Sequence, residues 1–153
     1  MNTQRPLAVV TGAGKRLGLA ITQILLNNGW EVLALVRSPN AALDALAASG
    51  RRVHIIQQDV ADPSVWFDLW PSLRALCGRL PQALVHAASL FEYDTAASSS
   101  WAAIEAHRRI NYDSFVAAAS AWLQSADTTQ RGAFVALVTR KSSASIPTIT
   151  LIR

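Results

Sequence analysis

Two spacings of apolar residues alternate along this chain, and the switches between them mark out its elements. Short apolar runs at residues 7–10, 30–36, 53–56, 83–88 and 133–139 have the length and β-branched content of buried strands. Between them lie stretches of helical period. Residues 16–28 put Leu17, Ala20, Ile21, Ile24 and Leu25 on one face and stop at Asn28-Gly29. Residues 39–48 predict a short helix closed by Ser49-Gly50. Asp62-Pro63 reads as an N-cap with proline at the first helical position, opening a helix to residue 77 that is kinked or broken at Pro71. Residues 101–124 predict one long helix.

Strands alternating with helices predict βαβ units and a parallel sheet. Residues 1–139 form one domain in this reading. Near Arg140 the pattern lapses. Residues 141–153 have no helical period, Pro147 interrupts any strand, and no further element of convincing length is expected, which leaves 140–153 as an atypical tail.

Composition narrows the class. Hydrophobic residues make up 51% of the 153 and charged residues 16%, so the chain can bury a core and a disordered chain is excluded. The net charge is +4, and twelve of the fourteen basic residues are arginine. They are scattered, without the basic runs or interleaved aromatics of a nucleic-acid surface, so no nucleic-acid partner is expected. Cys77 stands alone, which excludes an intrachain disulfide and a zinc site built on cysteines. No apolar run reaches the roughly 18–20 residues of a membrane span, and residues 7–10 are too short for a signal peptide. A reducing cytoplasm with no membrane partner is the expected setting.

The stretch Thr11-Gly-Ala-Gly-Lys-Arg-Leu-Gly18 joins the first strand to the first helix. At such a junction the phosphates of a dinucleotide rest on the unpaired amides of a helix N-terminus. Gly12, Gly14 and Gly18 are spaced one residue longer than the common three-glycine fingerprint, and Lys15, Arg16 and Leu17 lie between them as further candidate contacts. A P-loop fails at two points, because Val9 stands at its first glycine and Arg16 at its Ser/Thr. An NAD site usually places an acid at the end of strand two, about 20 residues on. This chain has Arg37-Ser38 there. A guanidinium can fork a 2′-phosphate that a carboxylate would repel, so with Lys15 and Arg16 close by the pattern favours NADP(H). The alternative is that Arg37 only solvates a strand end.

Taken together, these motifs resemble the short-chain dehydrogenase/reductase family over residues 5–139. Thr11-Gly12-x-x-x-Arg16-x-Gly18 is similar to that family's loop with arginine at the second glycine, and with Arg37-Ser38 it resembles the pteridine reductase branch. Asp59-Val60 matches the pair that contacts adenine, and His86-Ala87-Ala88-Ser89 sits where the family has Asn-Asn-Ala-Gly. Asn111 falls at an active-site asparagine of the long helix. The resemblance implies a Rossmann-type doubly wound parallel α/β sheet of strand order 3-2-1-4-5, incomplete at the C-terminus. It further implies NADPH-dependent reduction of a carbonyl or pterin-like small molecule, and a long helix, 101–124, that could pair copies into a homo-oligomer.

The family's Tyr-x-x-x-Lys pair, proton donor and its lysine, is absent: Tyr93 and Tyr112 are followed four residues on by Ala97 and Val116, and the lysines are Lys15 and Lys141. The catalytic hydroxyl or carboxylate expected after strand five would fall near Thr139 or Arg140. Two expectations follow. The chain is a truncated or frame-disrupted reductase, inactive alone, or a non-catalytic NADP-binding sensor or interaction module.

The remaining polar candidates read more plainly. His54 is structural, and His107 lies on a solvated helix face. His86 fills an adenine-side pocket, with a base as its other reading. Ser98-Ser99-Ser100 is loop and N-cap, with no nucleophile elbow around it. Trp66, Phe67 and Trp70 are core or interface aromatics. Asn111 either orders a water, as the resemblance implies, or braces its helix.

Overall fold

The computed structural model describes residues 4–91, 97–125, 132–138 and 148–152. In chain order these form β1 (Leu7–Thr11), α1 (Arg16–Asn27), β2 (Glu31–Val36), α2 (Ala41–Ala48), β3 (Val53–Gln57) and α3 (Val65–Cys77). There follow β4 (Ala83–His86), α4 (Trp101–Arg108), a π-helical turn (Arg109–Asp113), α5 (Ser114–Ser125), β5 (Ala133–Val138) and β6 (Thr148–Ile152). The strands lie in one sheet of order β3-β2-β1-β4-β5-β6. The first five run parallel, which is the expected 3-2-1-4-5 order.

Strand side chains alternate between the sheet's faces, and two cores follow from that period of two. Leu7, Val9, Leu33, Leu35 and Leu84 pack with Trp66, Leu69, Trp70 and Leu73 of α3 and with Ala118 and Ala121 of α5. Val10, Val32, Ala34, Val36 and Val85 pack on the other face with Leu26 of α1 and Leu43 of α2. Thr11 lies opposite Leu35 and His86, and Leu35 opposite Ile56, so the carboxyl ends of β1 to β4 are level along one edge.

Several expectations are corrected. The chain after Arg140 does form a strand: Thr148–Ile152 begins just past Pro147 and pairs antiparallel with β5. Its β-branched residues suit an edge, and a proline preceding the first strand residue removes no ladder bond from within it. Helix α3 starts at Val65, not Pro63; Asp62 instead accepts from the Ser64 amide at 3.0 Å and its hydroxyl at 2.8 Å in a turn before the helix. The helix runs on through Pro71, held by buried Trp66, Leu69, Trp70 and Leu73. The long helix is continuous but widens by a π turn at Arg109–Asp113. Finally, α1 buries Gly18, Thr22 and Leu26, while Leu17 and Ile24, expected inside, are exposed. Small residues face the sheet where the helix lies closest to it.

Candidate functional site

Everything just beyond the level carboxyl ends of β1 to β4 shares one edge, and there the candidate cofactor residues meet. Gly12 holds φ +62°, and a Cβ on it would stand 2.9 Å from the Cα and N of Ala88. Only glycine satisfies both the angle and the approach. At Gly18 a Cβ would drive into the Gly12 carbonyl. Arg16 holds φ 47°, the left-handed region, where an L side chain costs about 1–2 kcal/mol. That is the position at which the resembled loop carries its second glycine.

Three ties hold this loop. The Ala13 amide donates to the Leu35 carbonyl at 3.4 Å. The Thr11 hydroxyl oxygen accepts from the amides of Ala87 and Ala88 at 3.1 and 2.9 Å. The Asn40 side-chain amide donates to the Gly14 carbonyl at 2.8 Å. Sequence reading placed Thr11 in the motif without a role and passed over Asn40; its place before Ala41-Ala-Leu-Asp44 was the available signal, as an N-cap.

Helix α1 opens on this loop with no side-chain cap and no acid in its first turn, whereas Asn40 caps α2 and Ser100 caps α4. Its first amides are therefore donors for an anion. Lys15, Arg16 and Leu17 beside them are exposed, as are Arg37 and Ser38 just past β2. Among the described residues no ion pair takes Lys15, Arg16 or Arg37. The donor set, uncapped amides and unpaired cations on adjacent loops, fits a phosphate-bearing ligand. Asp59 is exposed and accepts from the Ala61 amide at 2.9 Å, while the Val60 side chain is buried in the core.

The His86 side chain is buried in the core. Its ring is buried between Trp66 and Phe115 at centroid distances of 6.4 and 6.0 Å, with Nε2 3.2 Å from the Ser114 hydroxyl. That hydroxyl accepts from the Trp66 indole at 3.1 Å, so its proton is available to a neutral His86. Burial pushes the imidazole pKa down to about 4, which leaves the ring neutral and only weakly basic near neutrality. Beside it, Ala87 and Ala88 reach the glycine loop through their backbone.

Asn111 is committed at both ends to Leu90: Nδ2 donates to its carbonyl and Oδ1 accepts from its amide, each at 2.9 Å. The π turn thereby ties the long helix to the segment after β4. His107 differs from its expectation, since Nε2 is shielded and among the described residues has no hydrogen-bond partner. His54 is exposed and meets Glu31 at 2.7 Å, a carboxylate that also takes Arg79 at 2.7 Å, on the far edge of the sheet. Ser100 accepts from the Ala103 amide at 3.1 Å as the α4 cap. Trp66 and Trp70 are core, and Phe67 is exposed. Burial raises the Cys77 thiol pKa, with Glu31 adding to it, so it is no activated thiolate. Tyr93, Thr139, Arg140 and Lys141 lie outside the described residues.

Over residues 6–150 the chain matches the family model described as short chain dehydrogenase. An uncharacterised oxidoreductase of Mycobacterium tuberculosis is 41% identical over 63 residues, 39% of this chain and 24% of that protein. A short-chain dehydrogenase from Streptomyces avermitilis superposes with a TM-score of 0.79 at 22% identity, over 89% of this chain and 50% of its own. A short chain dehydrogenase from Burkholderia cenocepacia, solved in complex with NADP, gives a TM-score of 0.72 at 25% identity, over 86% of this chain and 54% of its own. The chain thus spans about half the length of these solved structures. With a family match over nearly all its residues and the strand order described above, this protein belongs to the short-chain dehydrogenase family.

Proposed function

We propose that this chain binds NADP(H) and is the cofactor-holding part of an oxidoreductase of the pteridine reductase-like branch, which reduces a carbonyl or pterin-like small molecule. The observation that carries the reading is Arg37, exposed just past β2 where an NAD site carries an acid, next to the uncapped start of α1. The Burkholderia cenocepacia relative, solved with NADP, supports it.

In this reading the backbone around Gly12, Gly14 and Gly18 holds the pyrophosphate, and Lys15, Arg16, Arg37 and Ser38 hold the 2′-phosphate. Leu17 flanks the pyrophosphate. Asp59 and the Val60 backbone flank the adenine, and Ala87 and Ala88 close the cleft from β4. When bound, the cofactor supplies hydride; these residues orient it. The 153 residues contain no Tyr-x-x-x-Lys pair to protonate a carbonyl, so the chain alone does not reduce substrate. That absence favours a second reading, a non-catalytic NADP-binding sensor or interaction module. Copies associate through the exposed side of the long helix. A cytoplasmic setting accords with the lone cysteine, and among the described residues no helix is long and apolar enough to cross a membrane.

Titration calorimetry at low salt tests the cofactor. Charge-assisted bonds of about 1.5–3 kcal/mol each predict NADPH at least about tenfold tighter than NADH, with Arg37→Asp reversing the order. Equal affinities would overturn the reading. NADPH oxidation with carbonyl and pterin substrates separates the two roles. Binding with turnover near background is expected, because general acid catalysis typically supplies about 10²–10⁴-fold. Protein-dependent turnover would overturn the claim of inactivity.

A further inference from the structure

We propose that Asn40 is a positioning residue that sets the preference for NADP(H) by locking the glycine loop to the turn between β2 and α2. The proposal rests on the cofactor reading above. Both ends of the Asn40 side chain are engaged. Its Oδ1 accepts from the amides of Ala42 and Leu43, each at 3.1 Å, and so caps α2. Its Nδ2 donates to the Gly14 carbonyl at 2.8 Å, across 26 residues of sequence. Gly14 is fitted to it: a Cβ there would lie 2.9 Å from Nδ2 and 3.0 Å from Cγ.

The cations assigned to the 2′-phosphate arrive on two separate segments. Lys15 and Arg16 follow Gly14 directly, and Arg37 with Ser38 lies just before Asn40. Beyond the β1–β2 ladder, which pairs as far as Thr11 and Leu35, the tie from the Ala13 amide to the Leu35 carbonyl is long at 3.4 Å. Asn40 therefore holds the two sets of cations in one fixed relation before any ligand arrives. A ligand that needs both sets gains from that pre-ordering; one without a 2′-phosphate does not. Loss of the lock should weaken NADPH selectively.

Asn40→Ser tests this in the whole chain. Serine caps a helix about as well as asparagine and is neutral, but it is too short to reach Gly14. Thermal stability should stay close to that of the unmutated chain. Amide hydrogen exchange at Ala13 and Leu19, the bonded amides that flank the loop, should quicken about tenfold, the equivalent of one net hydrogen bond. The NADPH Kd should rise about tenfold while that of NADH stays within about twofold. Asn40→Gly, which is also tolerated at an N-cap and cannot reach Gly14, should reproduce the pattern if Asn40→Ser does not fold. Unchanged exchange in both variants overturns the lock, whatever the nucleotides do. Equal weakening of NADPH and NADH overturns its role in selectivity. No binding of either nucleotide by the unmutated chain overturns the cofactor reading and the selectivity with it, while exchange still decides the lock.

Discussion

Arg16 carries two opposing demands on one residue. Its guanidinium stands exposed at the start of α1, yet its backbone sits at φ 47°, where glycine would be at ease. Arg16→Gly removes about 1–2 kcal/mol of left-handed cost and returns about 0.4–1 kcal/mol to the unfolded chain's freedom. The variant should be as stable as the parent or up to about 1.5 kcal/mol more so. Arg16→Ala keeps the cost, so it should be the less stable of the two in urea melts, while both lose NADPH affinity alike. A glycine variant clearly less stable than the alanine one would show that the side chain itself secures the loop. His86 makes a second residue-scale prediction. Above its ordinary pKa of 6.5 the ring is neutral in both states and contributes no pH dependence. Between 6.5 and about 4 the unfolded chain takes up a proton that the buried ring refuses, so stability falls as pH drops. Below about 4 both states are protonated and the loss levels off. Over that window it should amount to about 3 kcal/mol, read as a fall in urea midpoint that His86→Asn abolishes. An unchanged pH profile in His86→Asn would assign the acid sensitivity to other groups.

Among the elements, α1 is the one whose buried face the spacing of large apolar residues misplaced. Gly18, Thr22 and Leu26 face the sheet, and the Thr22 hydroxyl donates to the Gly18 carbonyl at 2.9 Å, so a polar residue is buried without an orphaned group. Close approach selects small side chains there, and Leu17 and Ile24 are left outside. Gly18→Val forces the helix away from the Gly12 carbonyl and so reshapes the phosphate loop. NADPH binding should be lost and stability should fall by about 1–3 kcal/mol. Helical content by circular dichroism should stay near the parent value, because the other eleven residues of α1 are unchanged. Unimpaired binding would reduce the loop to a turn. The π turn at Arg109–Asp113 is a second element that periodicity does not reveal, since one added residue alters the helical pattern less than the scatter of apolar positions does.

For the whole molecule, β6 lies along β5 as an antiparallel partner. The edge of β5 is paired, so edge-to-edge association through it is not the route to self-association. Ile110, Phe115 and Trp122 pack against the core. The exposed side of the long helix carries Trp101, Ile104, Tyr112, Val116 and Leu123 instead, with Trp101 at 74% and Leu123 at 68% exposure. An apolar stripe of that length favours association. Sedimentation should show concentration-dependent dimers or larger species, and Val116→Lys with Leu123→Lys should shift them to monomer. A monodisperse parent at high concentration would remove the helix as an interface.

Local pattern alone determined the order of the elements, the parallel sheet with its glycine loop at the first turn, and Arg37 at the end of β2. Those are legible because strand and helix periods, and the glycines of a tight turn, are properties of neighbouring residues. Tertiary structure alone decided which side chains make the site work. Asn40 meets Gly14 across 26 residues, and Thr11 meets Ala88 across 77. His86, placed by motif at the cofactor, turns into the core because β4 ends with that side chain on the α3 and α5 face. β6 exists only as a partner for β5. Each of these depends on strand register and on which face a residue takes, and a shift of one residue reverses both. A contact between distant segments leaves no periodic trace in either of them, so it becomes visible only once the sheet is assembled.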